Sequence, residues 1–304
     1  MKLFHYLRQC SVREKWERFK KQPHSQQLLE RGATIVAQWF QSQKDVFYSF
    51  VKASLDNIAL EVLNYLRGKH PDHSIFSISA ENFAYWKNNN IDDNHWDEME
   101  GTQIMDALEE YIFDILNFKP NKSKNTDLEY MCIDNVLENK YGQEIVILII
   151  YHSVARRLGL RCDITKMPYC SRRYIFWKPK YATSSLEDAR SFSISFNTFP
   201  DCLVEQRCSR ESLLAVTANE ILLDMLEILL DLEWRNNTLM VTPQEMEFGF
   251  HVWNAITKTT PKWIDNNEIG RYFCKFEGTH YVPNEMLARY YPHDAAITAI
   301  TSDD

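Results

Sequence analysis

Cys170 precedes Arg172 and Arg173 in the stretch MPYCSRRYIFW. Guanidinium groups beside a thiol favour the thiolate, which is its nucleophilic form. The spacing could therefore support a cysteine nucleophile with a rearranged site. Such a nucleophile needs a base, and no histidine stands near Cys170 in sequence; a buried or idle thiol is the plainer reading. His152 sits in the apolar run of KYGQEIVILIIYHSVARRLGL and reads as a satisfied or surface histidine rather than a base. Glu144, two residues after Gly142, opens the same run. A carboxylate in a first helical turn is favoured by the helix dipole, by roughly 0.3–1 kcal/mol, and that structural role is sufficient to explain it. His70, Asp72 and His73, and then His95, Asp97 and Glu98, carry metal-ligand chemistry. Their spacing is irregular and their surroundings polar, so a solvated loop without metal is expected.

The bulk composition narrows the classes. The chain has 304 residues, 45% of them apolar and 25% charged, with a net charge of −8. That is the profile of a globular protein with a sizeable core. The negative balance argues against a general nucleic-acid binder, which needs a concentrated basic surface. Seven cysteines at scattered spacings show no two-residue zinc pattern, and they read as reduced thiols in a cytoplasmic or nuclear protein. The N-terminus lacks the apolar core of a signal peptide, and IVILII is too short to span a bilayer. No cofactor is implied.

The elements follow from periodicity. Apolar residues at helical spacing predict helices over 1–22, ended by Pro23, and over 25–41, 45–67, 102–117, 127–138 and 142–158. Two arginines and Gly159 form a C-terminal helix signal. The polar stretch 68–100 predicts an irregular loop with one short helix. RCDITKM, RRYIFW and SFSISFNTF predict three strands of an antiparallel sheet. Helical spacing returns over 209–234. The fold class is therefore α+β: a helical N-terminal part, a helix plus short antiparallel sheet, and a small mixed tail. Two domains are expected, 1–238 and 239–304.

A helix that opens with glycine, closes on Arg-Leu-Gly and is followed by strands resembles the core of transglutaminase-like proteins. More closely, the chain resembles the F-box only protein 21-like family and the bacterial SirB-type transglutaminase-like proteins. The stretches that carry this are LERGATIVAQWF, DNVLENKYGQEIVILIIYHSVARRLGL, MPYCSRRYIFW and IGRYFCKFEGTHYVPNEMLARYYP. The last resembles the end of a YccV-like, hemimethylated-DNA-binding module. In the enzymes a cysteine caps the helix, and a histidine and an aspartate follow on the strands. The resemblance carries those three positions onto Glu144, Cys170 and Asn197. SirB-type proteins have glycine-isoleucine-proline where this chain has Gly142, Gln143 and Glu144.

The resemblance thus implies a pseudo-enzyme: a non-catalytic protein-binding or adaptor protein linked to ubiquitin-ligase substrate recognition. Its partner would be a protein, although no F-box is seen to dock it to a ligase scaffold, and no membrane is involved. DNA binding through the tail is the alternative, since Trp253, Trp263, Tyr272 and Phe273 with Arg271 and Arg289 could stack on bases. Against it, residues 241–304 hold nine acidic groups and five lysines or arginines.

Overall fold

A helix that is apolar on every face can only be stable in the middle of a protein. The computed structural model describes residues 2–225 apart from 42–43, 122–127, 167–171, 206–213, 216, 219 and 223, and the run Ile145–Tyr151 lies at its centre. The chain divides into two units, Met1–Asn237 and Thr238–Asp304. The second lies outside the described residues, and with it the segment likened to a YccV-like module.

The helices are α1 (Lys2–Lys20), α2 (Leu29–Phe40), α3 (Tyr48–Lys69), α4 (Ala80–Asn88), α5 (Glu98–Glu109), α6 (Ile133–Asn139) and α7 (Glu144–Arg157). A π-helical stretch, Glu110–Ile115, prolongs α5. α7 is the hub. Helices α2, α3, α4, α5 and α6 pack around it, and the sheet covers part of it. Ile147, Leu148, Ile149 and Ile150 are all fully enclosed. Burying one such side chain is worth roughly 1.5–3 kcal/mol.

The strands are β1 (Lys119–Pro120), β2 (Tyr141–Gly142), β3 (Asp163–Lys166), β4 (Arg173–Trp177), β5 (Arg190–Ile194), β6 (Leu203–Glu205) and β7 (Leu214–Ala215). β1 and β2 form a short parallel pair. The other five make an antiparallel sheet in the order β6-β5-β4-β3-β7. Phe176 stands opposite Asp163 and Ser191, and Ile175 opposite Ile164 and Phe192. The three strands read from sequence are its centre, and the α+β class holds.

The structure departs from the sequence reading in several places. Residues 24–26 form a separate 3-10 turn before α2 begins. The stretch 68–100 is more ordered than its polarity suggests: a 3-10 turn (Ser74–Ser77), α4 and the start of α5 lie in it. The reason is capping. Ser79 accepts from the Asn82 amide and Asp97 from the Glu100 amide, satisfying orphan helix donors. Leu214–Ala215, read as helical, pairs with β3, and helix begins only at 218. A sheet edge offers unpaired backbone groups that a local helical pattern cannot anticipate. Among the described residues no helix is long and apolar enough to cross a membrane.

α7 ends as its sequence signals. Gly159 takes φ +77°, and the Leu160 amide reaches back to the Ala155 carbonyl at 3.1 Å. A Cβ at Gly159 would stand 3.0 Å from both Trp86 and Trp96. Only glycine fits both the backbone and the space.

Candidate functional site

The N-terminus of α7 is placed by a glycine. A Cβ on Gly142 would lie 2.3 Å from Val136 and 2.9 Å from the Tyr130 carbonyl oxygen. β2 therefore runs close under α6, and the Gln143 amide is fixed by that same Tyr130 carbonyl at 2.8 Å. Gly142→Ala is expected to destabilise the protein by about 1–3 kcal/mol, because backbone must move to admit the methyl group. The check is chemical denaturation; a midpoint equal to the parent's would show that the approach is looser than described.

Glu144 opens α7 and meets the sheet. Its carboxylate lies against the Ile194 backbone at the end of β5 and near Arg172 and Arg173 at the start of β4. The β4–β5 register brings those two strand ends side by side. Burial pushes the carboxyl up to about 7, and the pull of Arg172, then Arg173, only partly opposes it. Oε1 is enclosed without a hydrogen-bond partner. Arg173 is meanwhile held by Asp224, with Nε at 2.8 Å and its terminal nitrogen at 2.5 Å.

A carboxyl raised from 4.5 to about 7 favours the protonated folded state, so folding stability falls as pH rises through that window. Glu144→Gln is expected to raise stability at pH 7.5 by roughly 1–3 kcal/mol, with the gain vanishing below about pH 4.5. Denaturation of both proteins across that range tests it, and a difference independent of pH would refute the buried carboxyl.

Of the other two positions, Asn197 lies exposed in the turn between β5 and β6. Its amide Nδ2 donates to the Asp201 carbonyl at 3.3 Å, and its backbone amide to Ser195 Oγ at 3.4 Å. Cys170 falls outside the described residues. The structure thus brings Glu144 together with both arginines, and leaves Asn197 in its own turn.

Three described cysteines are buried thiols: Cys132, Cys162 and Cys202. Burial pushes the Cys202 thiol up to about 11 and those of Cys132 and Cys162 higher still, so all three stay protonated.

His152 is half-buried, and its ring is not fully hydrogen-bonded. Its Nδ1 is enclosed and unpartnered, and burial, reinforced by Arg156, pushes the ring down to about 4. Of the histidines of the polar stretch, His73 departs from a solvated loop, while His70 is half-buried and His95 is exposed. His73 is buried, its Nδ1 accepting from the Ile75 amide at 3.0 Å, and its ring lies edge-on to Trp96. His95 packs against Trp86 and Trp96. Asp97 caps α5. Aromatic residues scattered among the polar ones supply that packing. Among the described residues no group of three or more His, Cys, Asp or Glu is placed to hold a metal ion.

Two features escaped the sequence reading. Arg156 and Arg157, taken there as a C-terminal helix signal, are buried around a wholly enclosed Glu30. Arg156 reaches Glu30 Oε1 at 2.5 Å and Arg157 reaches it at 3.1 Å, while Arg157 Nε also binds Asp56 at 2.9 Å. Burial alone would raise the Glu30 carboxyl, but the two arginines hold it at about 2. The available signal was Glu30 standing on the stripe of α2 that also carries Ala33 and Ala37. The second feature is an exposed aromatic pair. Phe47 and Phe50, 52% and 68% exposed, meet edge-on beside a cleft of about 350 Å3 floored by Val46, Val51 and Leu137.

Residues 50–170, which include α7 and the helices around it, match the family model described as "Transglutaminase-like superfamily". The chain is similar to F-box only protein 21 of Homo sapiens, with 23% identity over 167 residues, covering 55% of this chain and 25% of that protein. F-box only protein 21 of Mus musculus and of Pongo abelii match with the same identity and coverage. The match spans about a quarter of the length of these curated relatives. No solved structure matches.

Proposed function

We propose that this protein is a non-catalytic, transglutaminase-like adaptor that binds a protein partner, within the ubiquitin-ligase substrate recognition that the F-box only protein 21 resemblance implies. The observation that carries this reading is Glu144. The resemblance assigns it the helix-terminal position of the enzymes' thiol, and it is a half-buried carboxyl whose nearby charges are those of Arg172 and Arg173. A carboxylate so placed lacks a base to activate it and is a weak attacking group. The protonated thiols of Cys132, Cys162 and Cys202 offer no substitute. The Phe47–Phe50 pair supports the binding half of the reading, since exposed apolar clusters rimmed by polar residues mark interaction surfaces.

The test is an amine-incorporation and ester-hydrolysis assay on the purified chain and on Cys170→Ala. The expected result is no turnover above buffer in either protein. Turnover by the parent that disappears in Cys170→Ala would replace this reading with a thiol enzyme of rearranged site. DNA binding through residues 239–304 remains the second reading. A salt-dependent shift of hemimethylated duplex, lost on deleting those residues, would favour it.

A further inference from the structure

Scattered exposed apolar side chains are ordinary, but adjoining ones beside a cleft mark a surface that meets something. Phe47 precedes α3 and Phe50 lies in its first turn, and the cleft beside them is floored by Val46, Val51 and, from α6, Leu137. The rim has a definite charge. It holds one ammonium, Lys44, and three carboxylates, Asp45, Asp134 and Glu138. Lys44 Nζ stands 2.7 Å from Asp134 Oδ2 and donates to Asn135 Oδ1 at 2.5 Å, so its charge is met within the rim and the surplus is negative. The next cations along both helices turn elsewhere. Lys52 donates to Asn88 of α4 at 2.6 Å, and Lys140 donates to the Leu137 carbonyl and lies over the Phe118 ring.

The surface also has a length. Phe50, Ala53, Asn57 and Leu60 are all exposed and recur every three or four residues, so an open face of α3 about 15 Å long continues from the cleft. A compact small molecule in the cleft would leave that strip bare. None of the lining residues belongs to a strand. An extended peptide therefore finds no sheet edge to pair with, and recognition falls to side chains, as when an amphipathic helix lies in a groove between helices.

We propose that the cleft between α3 and α6 is the docking site for a basic amphipathic helix of a partner protein. An aromatic or leucine side chain of that helix fills the cleft against Phe47, Phe50 and Leu137, and its lysines or arginines face Glu138 and the acidic rim. This rests on the adaptor reading above and supplies the chemistry of the partner. Two other occupants carry the wrong sign. Residues 241–304 of this chain hold nine acidic groups against five lysines or arginines. An anionic membrane surface attracts basic patches and is repelled by a negative rim.

The experiment selects a random peptide display library on the intact chain and titrates the enriched peptides by fluorescence anisotropy. The expected result is enrichment of peptides that set an aromatic residue or leucine among lysines and arginines. Their affinity should fall by at least about tenfold in the double variant Phe47→Ser, Phe50→Ser, which removes the walls around the anchor. It should fall also in Glu138→Lys and with added salt. Phe47, Phe50 and Glu138 are all exposed, so the variants should keep the parent's circular-dichroism spectrum and Tm. Enriched peptides without net positive charge, an affinity unchanged in the double variant or by salt, or no enrichment over that variant would each overturn the assignment. Tighter binding of phosphatidylserine vesicles than of any selected peptide would overturn it in favour of a membrane. Turnover in the amine-incorporation assay would remove the adaptor reading whatever the peptides do, whereas a null selection without turnover removes the cleft assignment alone.

Discussion

Glutamine in place of Glu30 is expected to lower stability by about 3–5 kcal/mol at neutral pH, because it leaves two buried guanidinium groups without their shared counter-charge. Glu30 is wholly enclosed and accepts from Arg156, Arg157 and Ser153 Oγ. Glutamine keeps the shape and some of the hydrogen bonding, so the loss isolates the charge. The parent's pH dependence has a definite sign. Glu30 is held at about 2, below its ordinary 4.5, so its contribution is complete above about pH 4.5 and fades as pH falls toward 2. Denaturant titration at pH 7 is the measurement. A loss under 1 kcal/mol would mean that the arginines are not desolvated as the structure has them. The effect matters for function because this cluster joins α2, α3, α4 and α7, the frame on which the Glu144 terminus is set.

Alanine at Leu148 is expected to cost about 2–5 kcal/mol, the range for truncating a fully enclosed leucine. Leu148 has no exposed surface and lies midway along α7, where helices and sheet converge. Neighbours on every side are themselves packed, so little collapse into the vacated space is possible, and the loss should fall in the upper half of that range. A circular-dichroism melt should show a lower Tm with the same folded signal. A change smaller than 1 kcal/mol would place α7 nearer the surface than the apolar run requires.

The sequence by itself determined what depends on residues near one another along the chain. The apolar run after Gly142 made α7 a buried helix, because no polar stripe was left to face water. Gly159 after two arginines ended it, because only glycine accepts φ +77° there. The β-branched and aromatic residues of the short segments RCDITKM, RRYIFW and SFSISFNTF, broken by turns, pointed to the three central strands. The stretches on either side of Glu144 carried the transglutaminase-like resemblance, which the match over 50–170 bears out.

Tertiary structure decided everything that depends on a partner far away in the chain. Arg156 and Arg157 look like solvent-facing helix ends until Glu30, more than a hundred residues earlier, is folded against them. His73 looks solvated until Trp96 packs against it, and His152 looks either paired or exposed until packing encloses its Nδ1 without a partner. Leu214–Ala215 follows a helical pattern locally, yet the open edge of β3 takes it as a strand. Glu144 shows the same division: its position in the first turn of α7 is written in the sequence, while its raised carboxyl comes from burial against β5 and the start of β4. Periodicity reports which face of an element is apolar. Which charged or polar group that face meets is fixed by packing, and packing sets the charge state on which any chemistry depends.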